Sequence, residues 1–237
     1  MPCFAARLTR ALDRCRIPAG LVLLTATAAA SAAQQPNTVT GRVLVLERGD
    51  KSAQDVGQAV VWLQPASPGA VKSISAQIVA ADKEFRPRVT VVPIGSTVSF
   101  PNSDAFDHNV FSLSEEAQFD LGLYSRGQAK SHQFTRPGII RVYCNVHAQM
   151  SAFIVVRDAP WYAQPAGDGS FAITGVPPGE YTVHVWHERA TPLAGQPLQV
   201  GANGVQGLEL RLDVRGYKFV QHLNKFGQPY ARRGRRY

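Results

Sequence analysis

Beyond residue 33 the chain is written in short apolar stretches, none of which keeps a helical period. Thr38 to Leu46 (TVTGRVLVL) alternates apolar and polar positions, and Gln58 to Leu63 (QAVVWL) runs almost wholly apolar. Both predict strands of a meander, since a period of two sorts side chains onto opposite faces and a short apolar run fits a strand buried on both. Gln64 to Ala70 (QPASPGA) is a linker rich in proline and glycine. From Gln77 to Val156 the pattern is densest. Ile78-Val79, Arg88 to Val92, Thr97 to Phe100, Val110-Phe111, Gln128 to Phe134, Gly138 to Tyr143 and Ala152 to Val156 read as strands. Pro87, Pro93 and Gly95 punctuate the early ones, and Asn102 to Asp107 is a polar loop. Ala166 to Leu212 repeats the style. Turns at Asp168-Gly169-Ser170 and Val176 to Glu180 (VPPGE) separate strands at Phe171 to Thr174, Tyr181 to Trp186, Pro197 onwards and Val205 to Leu212. Many short strands at this spacing predict an all-β chain of Greek-key sandwiches.

Composition agrees with a folded protein: 45% of the residues are hydrophobic and 18% charged. The first 33 residues stand apart. Arg7, Arg10, Arg14 and Arg16 precede an apolar stretch from Ile17 to Ala30, and Ser31-Ala32-Ala33 supplies the small residues of a cleavage site. The apolar stretch is short for a membrane span, so residues 1–33 read as an export signal and the mature protein as periplasmic. Cleavage removes Cys3 and Cys15 and leaves Cys144 alone. A single cysteine in an oxidising compartment forms no internal disulfide and needs another reason to persist. Metal ligation is one such reason; a buried inert thiol is the other.

Charge is unevenly placed. The chain carries +8, but seven basic residues and no acid lie from Arg215 onward, while residues 34–214 hold 14 basic against 16 acidic residues. The high isoelectric point therefore describes residues 215–237, expected to be a flexible basic tail. That tail suits an acidic partner or anionic lipid; export argues against nucleic acid. Because every candidate ligand lies upstream, removing the tail is expected to leave the site unchanged.

The candidate chemistry sits in Tyr143-Cys144-Asn145-Val146-His147-Ala148-Gln149-Met150. A thiolate, an imidazole and a thioether at C-x2-H-x2-M spacing follow a predicted strand, so one tight loop can aim all three at a point. His108, at a loop-to-strand junction, supplies a fourth group. Two His and one Cys in a plane, with a weak axial Met, make the blue-copper electron-transfer set. The remaining histidines lack such company; His184 and His187 flank Trp186 and leave a second metal site open.

The stretch from Gln77 to Val156 resembles the plastocyanin and amicyanin families of cupredoxins. Phe85-Arg86-Pro87, Gly95 to Phe100, Asn102 and His108-Asn109-Val110 look like plastocyanin positions, and the spacing of Cys144, His147 and Met150 is similar to that of amicyanin. The resemblance implies one type 1 copper held by His108, Cys144, His147 and Met150. Asn109 is a candidate either to bond across to the Cys144 loop, as groups behind ligands do, or to stabilise its own turn. Asp168 to Phe171 and Val176 to Val183 resemble the carboxypeptidase regulatory-like (transthyretin-like) domain, whose early strands look like Gly41-Arg42-Val43 and Ala59 to Leu63. The implied organisation is a transthyretin-like domain split into 34–66 and 160–214, with a cupredoxin domain, 67–159, inserted. The whole is similar to exported proteins labelled methylamine-utilization proteins, although no residue points to methylamine.

The expected function is non-enzymatic: single electrons carried between periplasmic redox partners. Multicopper oxidases and copper nitrite reductases need a histidine beside the cysteine, whereas Cys144 lies between Tyr143 and Asn145, and no H-x-H pair occurs. Copper delivery, and a binding module with a structural copper, remain as alternatives.

Overall fold

The computed structural model describes residues 37–49, 51–67 and 69–230; the expected signal peptide and the ARRGRRY end lie outside the described residues. Val39–Leu46 forms β1 and, after a 3-10 turn at Val56–Gln58, Val60–Pro65 forms β2. Ten strands follow: β3 (Ser75–Gln77), β4 (Val79–Ala81), β5 (Glu84–Arg86), β6 (Val89–Pro93), β7 (Thr97–Pro101), β8 (His108–Ser114), β9 (Ala117–Tyr124), β10 (Ala129–Gln133), β11 (Gly138–Tyr143) and β12 (Ser151–Arg157). The last five are β13 (Tyr162–Ala163), β14 (Ser170–Ile173), β15 (Gly179–Trp186), β16 (Gln196–Val200) and β17 (Val205–Asp213). The expected all-β class holds. Among the described residues no helix is long and apolar enough to cross a membrane.

Strand pairing divides the chain into an outer and an inner sandwich. β1 lies between β14, antiparallel, and β17, parallel. β2 lies between β13 and β15, and β16 extends that sheet. Both early strands thus pair with strands that arrive a hundred or more residues later, as the Trp62↔Tyr162 and Val39↔Ile173 registers show. Between them sits the inner sandwich: a five-stranded sheet β6-β12-β11-β8-β9 faces the sheet β10-β7-β3, with the ribbon β4-β5 beside them.

The hydrophobic pattern explains the layers. Alternate positions of β1 (Val39, Val43, Val45) meet Leu63, Phe171, Tyr181 and Leu210 in the outer core. Alternate positions of β7 and β11 (Val98, Phe100, Ile140, Val142) fill the inner core with Phe85, Phe134 and Ile154. β2 belongs to two cores at once: Val61 and Leu63 face the outer core, while Val60 and Trp62 face Val89, Val91, Phe153 and Val155 of β6 and β12. That double burial is why its sequence runs apolar without alternating, and it fastens one sandwich to the other.

Two expected boundaries move. The strand expected from Gln58 begins only at Val60, because Val56–Gln58 makes a 3-10 turn. The strand expected at Ile78-Val79 resolves into β3 and β4, with Ile78 fully buried between them.

Candidate metal centre

The loop from Cys144 to Met150 joins β11 to β12, whose register closes at Tyr143↔Ser151. Its turn is fixed from within. The Cys144 N–H donates to the Met150 carbonyl at 3.2 Å and the Met150 N–H to the His147 carbonyl at 3.0 Å. The Val146 N–H points at Cys144 Sγ, 3.4 Å away. β8 is the neighbour of β11, paired at Phe111↔Tyr143, so His108 at its start reaches the same end of the sheet as Cys144. A register irregularity between Asn109 and Phe111 against β9 marks a bulge beside this end, a device that re-aims side chains.

The consequence is a convergence of donors. Cys144 Sγ lies 3.7 Å from His108 Nδ1 and 3.8 Å from His147 Nδ1. The three donor atoms fall within 4.8 Å of one another, and among the described residues this is the one His/Cys/Asp/Glu group able to hold a metal. Cys144 and His108 are fully buried, Met150 is 1% exposed and His147 8%. Met150 packs in the same core cluster as Cys144. A metal with bonds of about 2.0 Å to nitrogen and about 2.3 Å to sulfur separates its donors by about 3.7 Å in a trigonal plane. The observed spacings fit that arrangement.

His108 is oriented from behind. Its Nε2 lies 2.8 Å from Asp104 Oδ2. Desolvation raises the Asp104 pKa, but hydrogen bonds from the Lys83 N–H, His108 and the Asp82 N–H outweigh it and hold the carboxyl below its ordinary value. A carboxylate only accepts, so Nε2 carries the proton and Nδ1 turns its lone pair toward Cys144. Asp104 reaches this place through the β4–β5 hairpin, whose turn residues Asp82 and Lys83 have φ of 55° and 60°. Their N–H groups donate to Asp104 at 2.8 and 3.0 Å. The preceding loop is anchored by Asn102, whose amide donates to the Phe106 and Tyr124 carbonyls. Sequence reasoning missed Asp104; its position four residues before His108 was the available signal.

Asn109 does not bond to the Cys144 loop as expected. Its amide donates instead to Asp120 Oδ1 at 2.6 Å, because β9 places that carboxylate beside it. His147 is itself nearly buried; the exposed groups beside it are Val146, its neighbour in the loop, and Phe106. The Phe106 ring stands 5.2 Å from both histidine rings. Tyr124, paired with His108 across β8 and β9, is buried in the same core, and burial with the nearby Cys144 raises its pKa, so it remains a neutral phenol.

The other histidines are otherwise engaged. His184 stacks on Trp62 at 4.9 Å, with the Arg157 guanidinium 4.4 Å from the same ring. His187 is fully buried against Asp55, its Nε2 3.3 Å from the backbone carbonyl, and burial lowers its pKa. His132 stacks on Phe119 at 4.2 Å.

The segment expected to be a flexible tail behaves differently. Residues 217–230 run over the metal-loop end of the inner sandwich, where His222 stacks on Tyr143 at 4.0 Å and Tyr230 donates to the Cys144 carbonyl at 2.6 Å. The expectation treated the stretch as solvated because it is basic and aperiodic; paired aromatic contacts leave no periodic trace.

No family model and no curated protein matches the chain. Among solved structures it is similar to a purple cupredoxin from Nitrosopumilus maritimus at 23% identity, over 35% of this chain and 99% of that one, with a TM-score of 0.32. It is similar to an amicyanin variant in the Cu(I) state at 26% identity, over 35% of this chain and 82% of that one, with a TM-score of 0.33. The copper-containing nitrite reductase of Thermus scotoductus is 25% identical over 40% of this chain, at a TM-score of 0.34, and the chain spans about a quarter of that enzyme's length.

Proposed function

We propose that this chain is an exported type 1 copper protein that carries single electrons between periplasmic redox partners. The observation behind the reading is the buried meeting of one thiol and two imidazoles, with Sγ 3.7 and 3.8 Å from the two Nδ1 atoms. His108, Cys144 and His147 would hold the copper, with Met150 as a weaker fourth donor. A soft thiolate, two imidazoles and a thioether favour copper over zinc or hard cations. A copper ion bound there supplies a reversible one-electron couple.

The residues do the rest. Asp104 fixes the tautomer and ring plane of His108, and the backbone bonds of the 144–150 loop fix Cys144 and Met150. Ligands held by neighbouring strands and a pinned loop move little between oxidation states. Val146 and Phe106 give an apolar rim beside His147, where a redox partner can come close with little desolvation penalty. We read the chain as non-enzymatic, since no histidine adjoins Cys144 to bridge to a second copper. We read the outer sandwich as a discontinuous transthyretin-like domain, 34–66 and 160–214, carrying the copper domain as an insertion. The pairing of β1 with β14 and β17, and of β2 with β13 and β15, supports that organisation.

The test is the visible spectrum of the purified protein after adding Cu(II), followed by voltammetry. The expected result is an intense thiolate-to-copper band and a reversible couple. Tight Cu(I) binding without the band would favour copper delivery instead. Met150→Leu is expected to keep the colour and raise the reduction potential, because a donor that favours Cu(II) is lost. Failure of that variant to bind copper would make Met150 a primary ligand and the site other than type 1.

A further inference from the structure

We propose that residues 217–230 form a strap that positions the Cys144 loop, with Tyr230 and Lys225 as its positioning residues; what the strap serves, a metal site, rests on the functional reading above. Three successive residues of the chain are held. The Tyr143 ring lies under His222, at 4.0 Å and 17°. The Cys144 carbonyl accepts the Tyr230 hydroxyl at 2.6 Å. Asn145 Oδ1 accepts the Lys225 N–H at 3.0 Å. The Lys225 ammonium also sits 2.6 Å from Asp120, the carboxylate that takes the Asn109 amide. One segment thereby ties the cysteine loop to the residue beside His108.

The strap has its own geometry. The Asn224 N–H donates to the Gln228 carbonyl, the Gly227 N–H to the Asn224 carbonyl, and Asn224 Oδ1 accepts the Phe226 and Gln228 N–H groups. This tight turn, with Gly227 at φ 71°, places Lys225 and Tyr230 on the loop together. The His222 ring packs edge-on against Tyr230 at 5.2 Å and 87°, so stacking and hydrogen bond support each other.

The Cys144 N–H is used by Met150 within the loop, and Tyr230 supplies the hydrogen bond to the Cys144 carbonyl. A backbone carbonyl at a buried residue is costly to leave unpaired. Losing Tyr230 O–H therefore loosens the loop at the residue that carries the thiol.

Thiol alkylation reads this without any metal. The full mature chain, freed of metal, is treated with iodoacetamide, and the rate at Cys144 is compared with Tyr230→Phe, Val220→Ala and a chain ending at Gly216. Local opening sets the reactivity of a buried group. Tyr230→Phe is expected to react about fivefold faster and the truncated chain about tenfold faster or more. Val220, 81% exposed on the strap, should give the parent rate. Parent rates in both Tyr230→Phe and the truncated chain would overturn the proposal, as would equal acceleration in Val220→Ala. If the truncated chain does not fold, Tyr230→Phe decides. Faster alkylation in a protein that never colours with Cu(II) would keep the strap and remove the copper reading.

Discussion

Cys144→Ser is expected to abolish the intense visible band of the Cu(II)-loaded protein. The band requires a thiolate bound to copper, and a serine hydroxyl at the same position supplies neither the charge nor the soft sulfur orbital. Packing predicts little else: Ser is slightly smaller than Cys, the bonds from the Cys144 N–H to Met150 and from Tyr230 to the Cys144 carbonyl involve no sulfur, and the Val146 N–H that points at Sγ can donate to the serine hydroxyl. The variant should therefore fold, with a circular dichroism spectrum like that of the parent, and remain colourless. Cys144 is also the sole free cysteine among the described residues, so no other thiol there can substitute. An unchanged absorption spectrum in the variant would remove Cys144 from the ligand set, and with it the proposed function.

Gly41→Val is expected to destabilise the outer sandwich severely while leaving the metal site unaltered. A Cβ at Gly41 would stand 2.1 Å from the Leu208 carbonyl oxygen and 2.8 Å from the Phe171 ring. The first contact is with backbone, so relief requires β1 and β17 to separate where their parallel register already shifts, between Val39 and Gly41. Overpacking of this kind costs about 3 kcal/mol or more. For a domain of this size that corresponds to a fall in melting temperature of about 6–12 °C. The donors at His108, Cys144 and His147 belong to the inner sandwich, so any copper band should persist below the transition. Thermal melting followed by circular dichroism, beside the visible spectrum, checks both halves of the prediction. A melting temperature within a degree of the parent's would show that the β1–β17 ladder yields at no cost.

These sites differ in how openly the sequence displays them. The cysteine loop was legible because thiol, imidazole and thioether fall within seven residues, and His108 because it opens an apolar strand. The core strands were legible where one face alternates, as in β1 and β15, or where both faces are buried, as in β2. β9 was overlooked although Ala117 to Tyr124 alternates strictly through Ala117, Phe119, Leu121 and Leu123. Overlooking it also hid Asp120, which is why neither role expected of Asn109 named its partner. Asp104 was hidden differently. A single acid in a polar loop is ordinary until the hairpin turn at Asp82-Lys83 brings two N–H groups to it. The strap was least legible of all, since Tyr230 and Cys144 are 86 residues apart and no local rule links a tyrosine in a basic stretch to a carbonyl in a distant loop.

The Trp62↔Tyr162 pairing has a consequence for how the chain reaches its native state. The chain leaves the outer sandwich at the end of β2 and returns at β13, its direct neighbour. In a disordered chain those two points close a loop of about a hundred residues, at an entropic cost that grows with the logarithm of loop length. Once residues 75–157 have folded, the same two points are joined by a rigid body whose Val89, Val91, Phe153 and Val155 already present the face that Val60 and Trp62 need. Synthesis runs in the same order: the inner sandwich has all its strands before β14, β15 and β17 exist. The inner sandwich thus serves as the template on which the two halves of the outer sandwich meet, and slow refolding of the inner part would delay the outer part with it.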